Sequence, residues 1–193
     1  MGNAEEVFGE ILKQDFQGYR DEMIISTKAG CYMWPGPYCD WGFRKYMISS
    51  LDQSLKRLDL DYVDIYYPHR HDPNMPLEET AGALDTVVKQ GKALYVGIFN
   101  YPAKEAREMA NLFKKLKTPF IIHQPQYSMF IRELEKELLP VLEDKGIGAI
   151  ISQPLFQGML TSKYVEGIPN DSRVAKKWHI FQQTIFLRSA LKR

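Results

Sequence analysis

Apolar positions along this chain switch repeatedly between a helical period and short unbroken runs. From Ala4 to Phe16 they recur at spacings of three and four, which predicts an amphipathic helix. Asn3, with Glu6 three residues later, has the pattern of an N-cap and its reciprocal partner. The run MIIST (23–27), rich in branched residues, predicts a buried strand. A long loop, AGCYMWPGPYCDWG, then leads to the helical pattern RKYMISSLDQSLKRLD, where Ile48, Leu51, Leu55 and Leu58 share one face. The alternation continues with strand YVDIYY, helix PLEETAGALDTVVKQG closed by Gly91, and strand ALYVGI. Helix AKEAREMANLFKKL, strand PFIIHQ, helix IRELEKELLPVLEDKG closed by Gly146, and strand GIGAIISQ complete it.

Strands that alternate with helices must pair in parallel, because each helix is the crossover that parallel pairing requires. A doubly wound sheet would usually carry a Gly-rich phosphate loop, G-x-G-x-x-G, after a strand, and the sequence has none. The other arrangement is a (β/α)8 barrel of about 250 residues. Five strands in 193 residues make this an incomplete (β/α)8 TIM barrel of about five βα units. An open set of strands would expose unpaired edges and apolar faces, so self-association of the isolated chain is expected and homo-oligomerisation stays open.

Composition narrows the function classes. With 45% hydrophobic residues the chain can bury a substantial core. Lys and Arg number 25 against 24 acidic residues, so no field of one sign draws the chain to nucleic acid or an acidic membrane surface. Apolar runs fall far short of the roughly 20 residues of a membrane span. The MGNAEEVF start lacks the form of a secretory signal, and Glu6 stands where a myristoylation signal needs Ser or Thr. Cys31 and Cys39 read as free thiols, and a cytoplasmic location is expected.

Barrel enzymes carry their chemistry at the C-terminal ends of the strands. In order, those ends hold Lys28; Pro68, His69, Arg70, His71 and Asp72; Phe99 and Asn100; His123 and Gln124; Ser152 and Gln153. His69 and His71, at i and i+2 on an extended segment, could in principle share a metal, yet no further ligand stands clearly at a neighbouring strand end. No metal site is expected.

The segments DEMIISTKAGCYMWPGPY, SLDQSLKRLDLDYVDIYY, HRHDPNMPLEET, GKALYVGIFNYPA and HQPQYSMF strongly resemble the aldo-keto reductases. The resemblance is to the branch that holds bacterial L-glyceraldehyde 3-phosphate-type reductases and potassium-channel β subunits, and it runs from about Gly2 to Arg173. It implies a barrel domain over 1–175, followed by a divergent basic and apolar tail over 176–193. It implies an NADP(H)-dependent oxidoreductase that reduces small aldehydes or ketones, of glyceraldehyde 3-phosphate type, by hydride transfer. Lys28 matches the family lysine, whose charge lowers the pKa of a proton-donating Tyr. His69 matches the histidine that orients the substrate carbonyl. Asn100 and Gln124 match residues that hydrogen-bond the nicotinamide carboxamide, and Ser152, Gln153 and Leu155 fall on the following cofactor segment. Trp34, Tyr38 and Trp41 would line the substrate mouth, or alternatively pack on themselves as a surface loop.

The departures from the family pattern carry expectations of their own. The family's catalytic Asp and Tyr precede the GNAEE segment, so this chain is expected to be truncated at both ends and impaired. Phe99 stands where relatives have a Ser, and Ser152, Gln153, Pro154 and Leu155 stand where they have an aromatic and then Ser-Pro-Leu, so the nicotinamide would lose its stacking partner. Phe156 and Gln157 are bulky where small residues would pass near the pyrophosphate. The basic groups for the adenosine 2′-phosphate are expected to be missing, so NADP rather than NAD is inherited from the family. The alternative is a non-catalytic fragment or a regulatory protein like the channel β subunits.

Overall fold

A computed structural model describes residues 2–164, 167–170 and 172. The chain divides into two units, Met1–Tyr127 with Ile131–Ser152, and Ser128–Phe130 with Gln153–Arg193. The first unit alternates helix and strand: α1 (Asn3–Asp15), β1 (Ser26–Ala29), α2 (Arg44–Leu58), β2 (Val63–Pro68), α3 (Leu77–Lys89), β3 (Ala93–Phe99), α4 (Ala103–Leu116), β4 (Phe120–Gln124), α5 (Leu138–Lys145) and β5 (Gly148–Ala149). All strand pairs are parallel and the order is β1-β2-β3-β4-β5. Sequential order without reversal is the winding of a barrel; a doubly wound sheet reverses at a switch point. The five parallel strands and the helices that alternate with them are thus part of a TIM-barrel arrangement.

The pleat separates two faces. On one, Tyr66 donates its hydroxyl to the Met47 carbonyl of α2 at 2.6 Å, and Thr27 donates to Glu5 of α1. Val96, Ile98 and His123 share this helix-facing side and are fully buried. Val96 and Ile98 pack with Tyr46, Met47, Leu51, Leu84, Val87, Met109 and Phe113 from the helices. The opposite face carries Lys28, Tyr67, Gly97, Phe99, Ile122 and Gln124, set side by side by the strand register. Glycine is required at 97: a Cβ there would lie 2.2 Å from the Tyr67 ring and 2.9 Å from Ile122.

Several sequence-based boundaries move for identifiable reasons. Asn3 does not cap α1; Gly2 does, with φ of 99°, and its carbonyl accepts the Glu5 and Glu6 N–H groups. The first strand starts at Ser26, three residues late, because the Ile25 N–H is taken by the Asp64 carboxylate at 2.7 Å. Lys28 therefore lies inside β1. The helix expected over 131–146 is α-helical only from Leu138. Pro140 has no N–H, and its ring would collide with the carbonyl four residues earlier, so it is tolerated only in a first turn. The last strand shrinks to two residues because Pro125 cannot donate to the ladder beside it. The chain still follows β4 through the Gln126–Ser152 bridge. Residues 173–193 lie outside the described residues, and so does the tail expected over 176–193. No helix among the described residues is long and apolar enough to cross a membrane.

Candidate active site

Lys28 and Tyr67 are lateral partners in β1 and β2, which fixes their side chains on one face at the C-terminal end of the sheet. The Lys28 ammonium lies 5.0 Å from the Tyr67 ring centroid and 5.8 Å from that of Phe99. Half-burial pushes its pKa below the ordinary lysine value, and among the described residues no carboxylate pairs with it.

His69 follows β2, and its N–H donates to the Ala29 carbonyl at 2.6 Å. Gly30, at φ 132°, lets the two strand ends approach, because a Cβ there would sit 3.1 Å from the His69 nitrogen. The imidazole meets the Phe99 ring edge-on, with centroids 4.9 Å apart. Its Nδ1 lies 3.6 Å from the Cys31 sulfur. Burial, and then the charges of Lys28 and Arg70, hold His69 below its ordinary pKa, so it is neutral at neutral pH.

Asn100 ends β3 in the left-handed region, φ 54°, which asparagine tolerates better than most residues. Its N–H donates to the Gln124 carbonyl at 3.1 Å, and its side-chain oxygen accepts the Gln126 N–H at 2.9 Å. The Asn100 amide NH2 therefore has no partner among the described residues, nor has the half-buried Gln124 amide. Ser152 is occupied locally, its hydroxyl donating to the Pro125 carbonyl at 3.1 Å.

Lys28, His69, Asn100 and Gln124 are thus gathered at one end of four adjacent strands, with Phe99 between Lys28 and His69. Gln153 and Leu155 belong to the second unit. There the Gln153 carbonyl accepts the Phe156 N–H at 2.9 Å, and Leu155 is exposed. Gln153, Phe156 and Gln157 all have positive φ, a strained run for residues with side chains.

The aromatic loop is pinned rather than open. Trp34 packs on Tyr46, Tyr38 on Phe43 and Lys45, and Trp41 lies 3.8 Å under the Arg70 guanidinium. Arg70 also binds Asp40 and the Gly30 carbonyl, each at 2.8 Å. His71 turns away to stack edge-on against Tyr101, so the two imidazoles have different surroundings. Among the described residues no group of three or more potential metal ligands occurs.

The Aldo/keto reductase family model matches residues 1–187. This chain belongs to the aldo/keto reductase family. It is 54% identical over 177 residues to L-glyceraldehyde 3-phosphate reductase of Escherichia coli K12, covering 91% of this chain and 51% of that protein. It is 40% identical over 179 residues to a "Probable voltage-gated potassium channel subunit beta" of Arabidopsis thaliana, covering 90% of this chain and 53% of that protein. The chain spans about half the length of the curated relatives it matches.

Within this member of the aldo/keto reductase family, sequence reasoning passed over two neighbours of Lys28 and His69. Tyr67 looked like one more apolar strand position, and only the register sets it beside Lys28. Cys31 looked like an isolated loop thiol; its nearness to His69 depends on β1 pairing with β2, thirty-eight residues on. No local signal could have disclosed either.

Proposed function

We propose that this chain carries the carbonyl-orienting and nicotinamide-binding part of an NADP(H)-dependent reductase of small aldehydes or ketones, of glyceraldehyde 3-phosphate type. The observation that carries the reading is the shared placement of Lys28 and His69 at the ends of adjacent parallel strands, with Phe99 between them.

The amide groups fit a carboxamide. Such a ligand needs a donor for its oxygen and an acceptor for its NH2. The Asn100 NH2 supplies the donor, and the Gln124 amide oxygen supplies the acceptor. When bound, the nicotinamide would supply a hydride. The chain's own residues would fix the ring through Asn100 and Gln124 and polarise the substrate carbonyl through His69. They would also set the local positive charge with Lys28, whose pKa burial depresses and no carboxylate among the described residues restores. Phe99 makes the space beside Lys28 apolar, which strengthens both polar groups by excluding water.

The test is NADPH-dependent reduction of glyceraldehyde 3-phosphate and simple aldehydes, followed by loss of the reduced nicotinamide absorbance. The expected result is turnover that falls at least about a hundredfold in Lys28→Met and in His69→Gln. Turnover unaffected by either substitution, or no turnover beside intact cofactor binding, would overturn this reading. The second outcome would favour a non-catalytic, regulatory role.

A further inference from the structure

Cys31 lies in the loop that leaves β1, with its sulfur 3.6 Å from His69 Nδ1, within reach of a sulfur hydrogen bond. We infer that Cys31 is a positioning residue: it donates its S–H to His69 Nδ1 and thereby holds the imidazole as the tautomer with its proton on Nε2.

The direction of the bond follows from the chemistry of the two groups. A thiol sulfur is a poor acceptor, whereas a bare imidazole nitrogen is a good one, so S–H to N is preferred over N–H to S. An ion pair between thiolate and imidazolium is disfavoured on both sides. Partial desolvation raises the Cys31 thiol, with Arg70 opposing and Asp40 adding to it. Burial, Lys28 and Arg70 all lower His69. A neutral imidazole that accepts at Nδ1 must carry its proton on Nε2. Among the described residues Nε2 has no hydrogen-bond partner, so its N–H is left to donate elsewhere.

The loop is built to hold the thiol there without using the thiol itself. The Tyr46 hydroxyl, on a buried ring of α2, donates to the Cys31 carbonyl and accepts the Gly30 N–H at 3.4 Å. The Phe99 ring braces the imidazole from another side. The functional consequence rests on the proposed reductase reading, in which a substrate carbonyl oxygen accepts from the Nε2–H. The tautomer assignment does not rest on that reading.

The test is a long-range proton–nitrogen correlation spectrum of the nitrogen-15-labelled chain at neutral pH, with His69 assigned by its loss in His69→Gln. The expected spectrum places His69 Nδ1 at the shift of a bare ring nitrogen and Nε2 at that of a protonated one. In Cys31→Ala the two shifts should move toward each other, as the tautomer ratio falls by about two- to fivefold, the size expected for one weak hydrogen bond. Cys31 is exposed and its backbone is anchored through Tyr46, so this variant keeps the fold. A protonated Nδ1 in the unmodified chain, or identical His69 shifts in Cys31→Ala, would overturn the inference. Because the spectrum needs no turnover, an inactive chain would count against the reductase reading alone.

Discussion

Truncating Phe113 to alanine is expected to cost about 3–5 kcal/mol of folding stability, a large fraction of a typical domain's 5–15. Phe113 is 1% exposed on α4, and its ring meets that of Phe120, at the start of β4, with centroids 5.1 Å apart. Thr118, between them, is fixed by a 2.8 Å hydrogen bond to the Asp85 carboxylate on α3. Neighbouring groups cannot collapse into the gap without breaking that bond, so the cavity term adds to the lost transfer energy. The melting temperature should fall by roughly 6–20 °C, read by calorimetry. A fall of only a degree or two would show that this part of the core is looser than its packing implies.

Acid should destabilise the chain through one buried histidine. His123 is 0% exposed, and burial pushes its pKa from 6.5 down to about 4, despite an opposing hydrogen bond from Nε2 to the Tyr101 carbonyl. Among the described residues its Nδ1 has no partner, so none of them compensates a second proton. The unfolded chain binds that proton near pH 6.5, while the folded chain resists it until about pH 4. Between those values the unfolded state holds more protons, and stability therefore rises with pH. The contribution is complete above pH 6.5 and lost as the pH falls toward 4, roughly 3 kcal/mol in all. Urea unfolding across that window should show the loss in the unmodified chain. His123→Gln, which keeps an N–H donor but does not titrate there, should flatten the curve. Equal pH dependence in both would assign the acid sensitivity to other groups.

His123 also shows where sequence reading reaches its limit. It stands next to Gln124, and both count as polar groups at the end of one strand. One residue of strand register sends them to opposite faces, His123 among the helices and Gln124 to the side that holds Lys28. Element type was legible wherever the apolar period was long, as in α4, whose bounds at Ala103 and Leu116 match the expectation. Element bounds moved where a single local group overrode the pattern: the Asp64 carboxylate at Ile25, Pro140 in α5 and Pro125 beside β5. Family motifs marked Lys28, His69, Asn100 and Gln124 along the chain, and parallel pairing brings them to one end of the sheet. The contacts within the site, Cys31 on His69 and Phe99 on both His69 and Lys28, are long-range and follow only from the pairing of β1, β2 and β3.

The central claim, that this end of the sheet is a nicotinamide and carbonyl site, is tested most directly by the side-chain amide signals of Asn100 and Gln124. Titration with reduced nicotinamide mononucleotide, which lacks the adenosine half of the cofactor, isolates this part of the site. The account predicts that both NH2 signals move together and saturate, and that Asn100→Ala abolishes the response at Gln124. Saturable shifts confined to other residues, or none at these two amides, would contradict it.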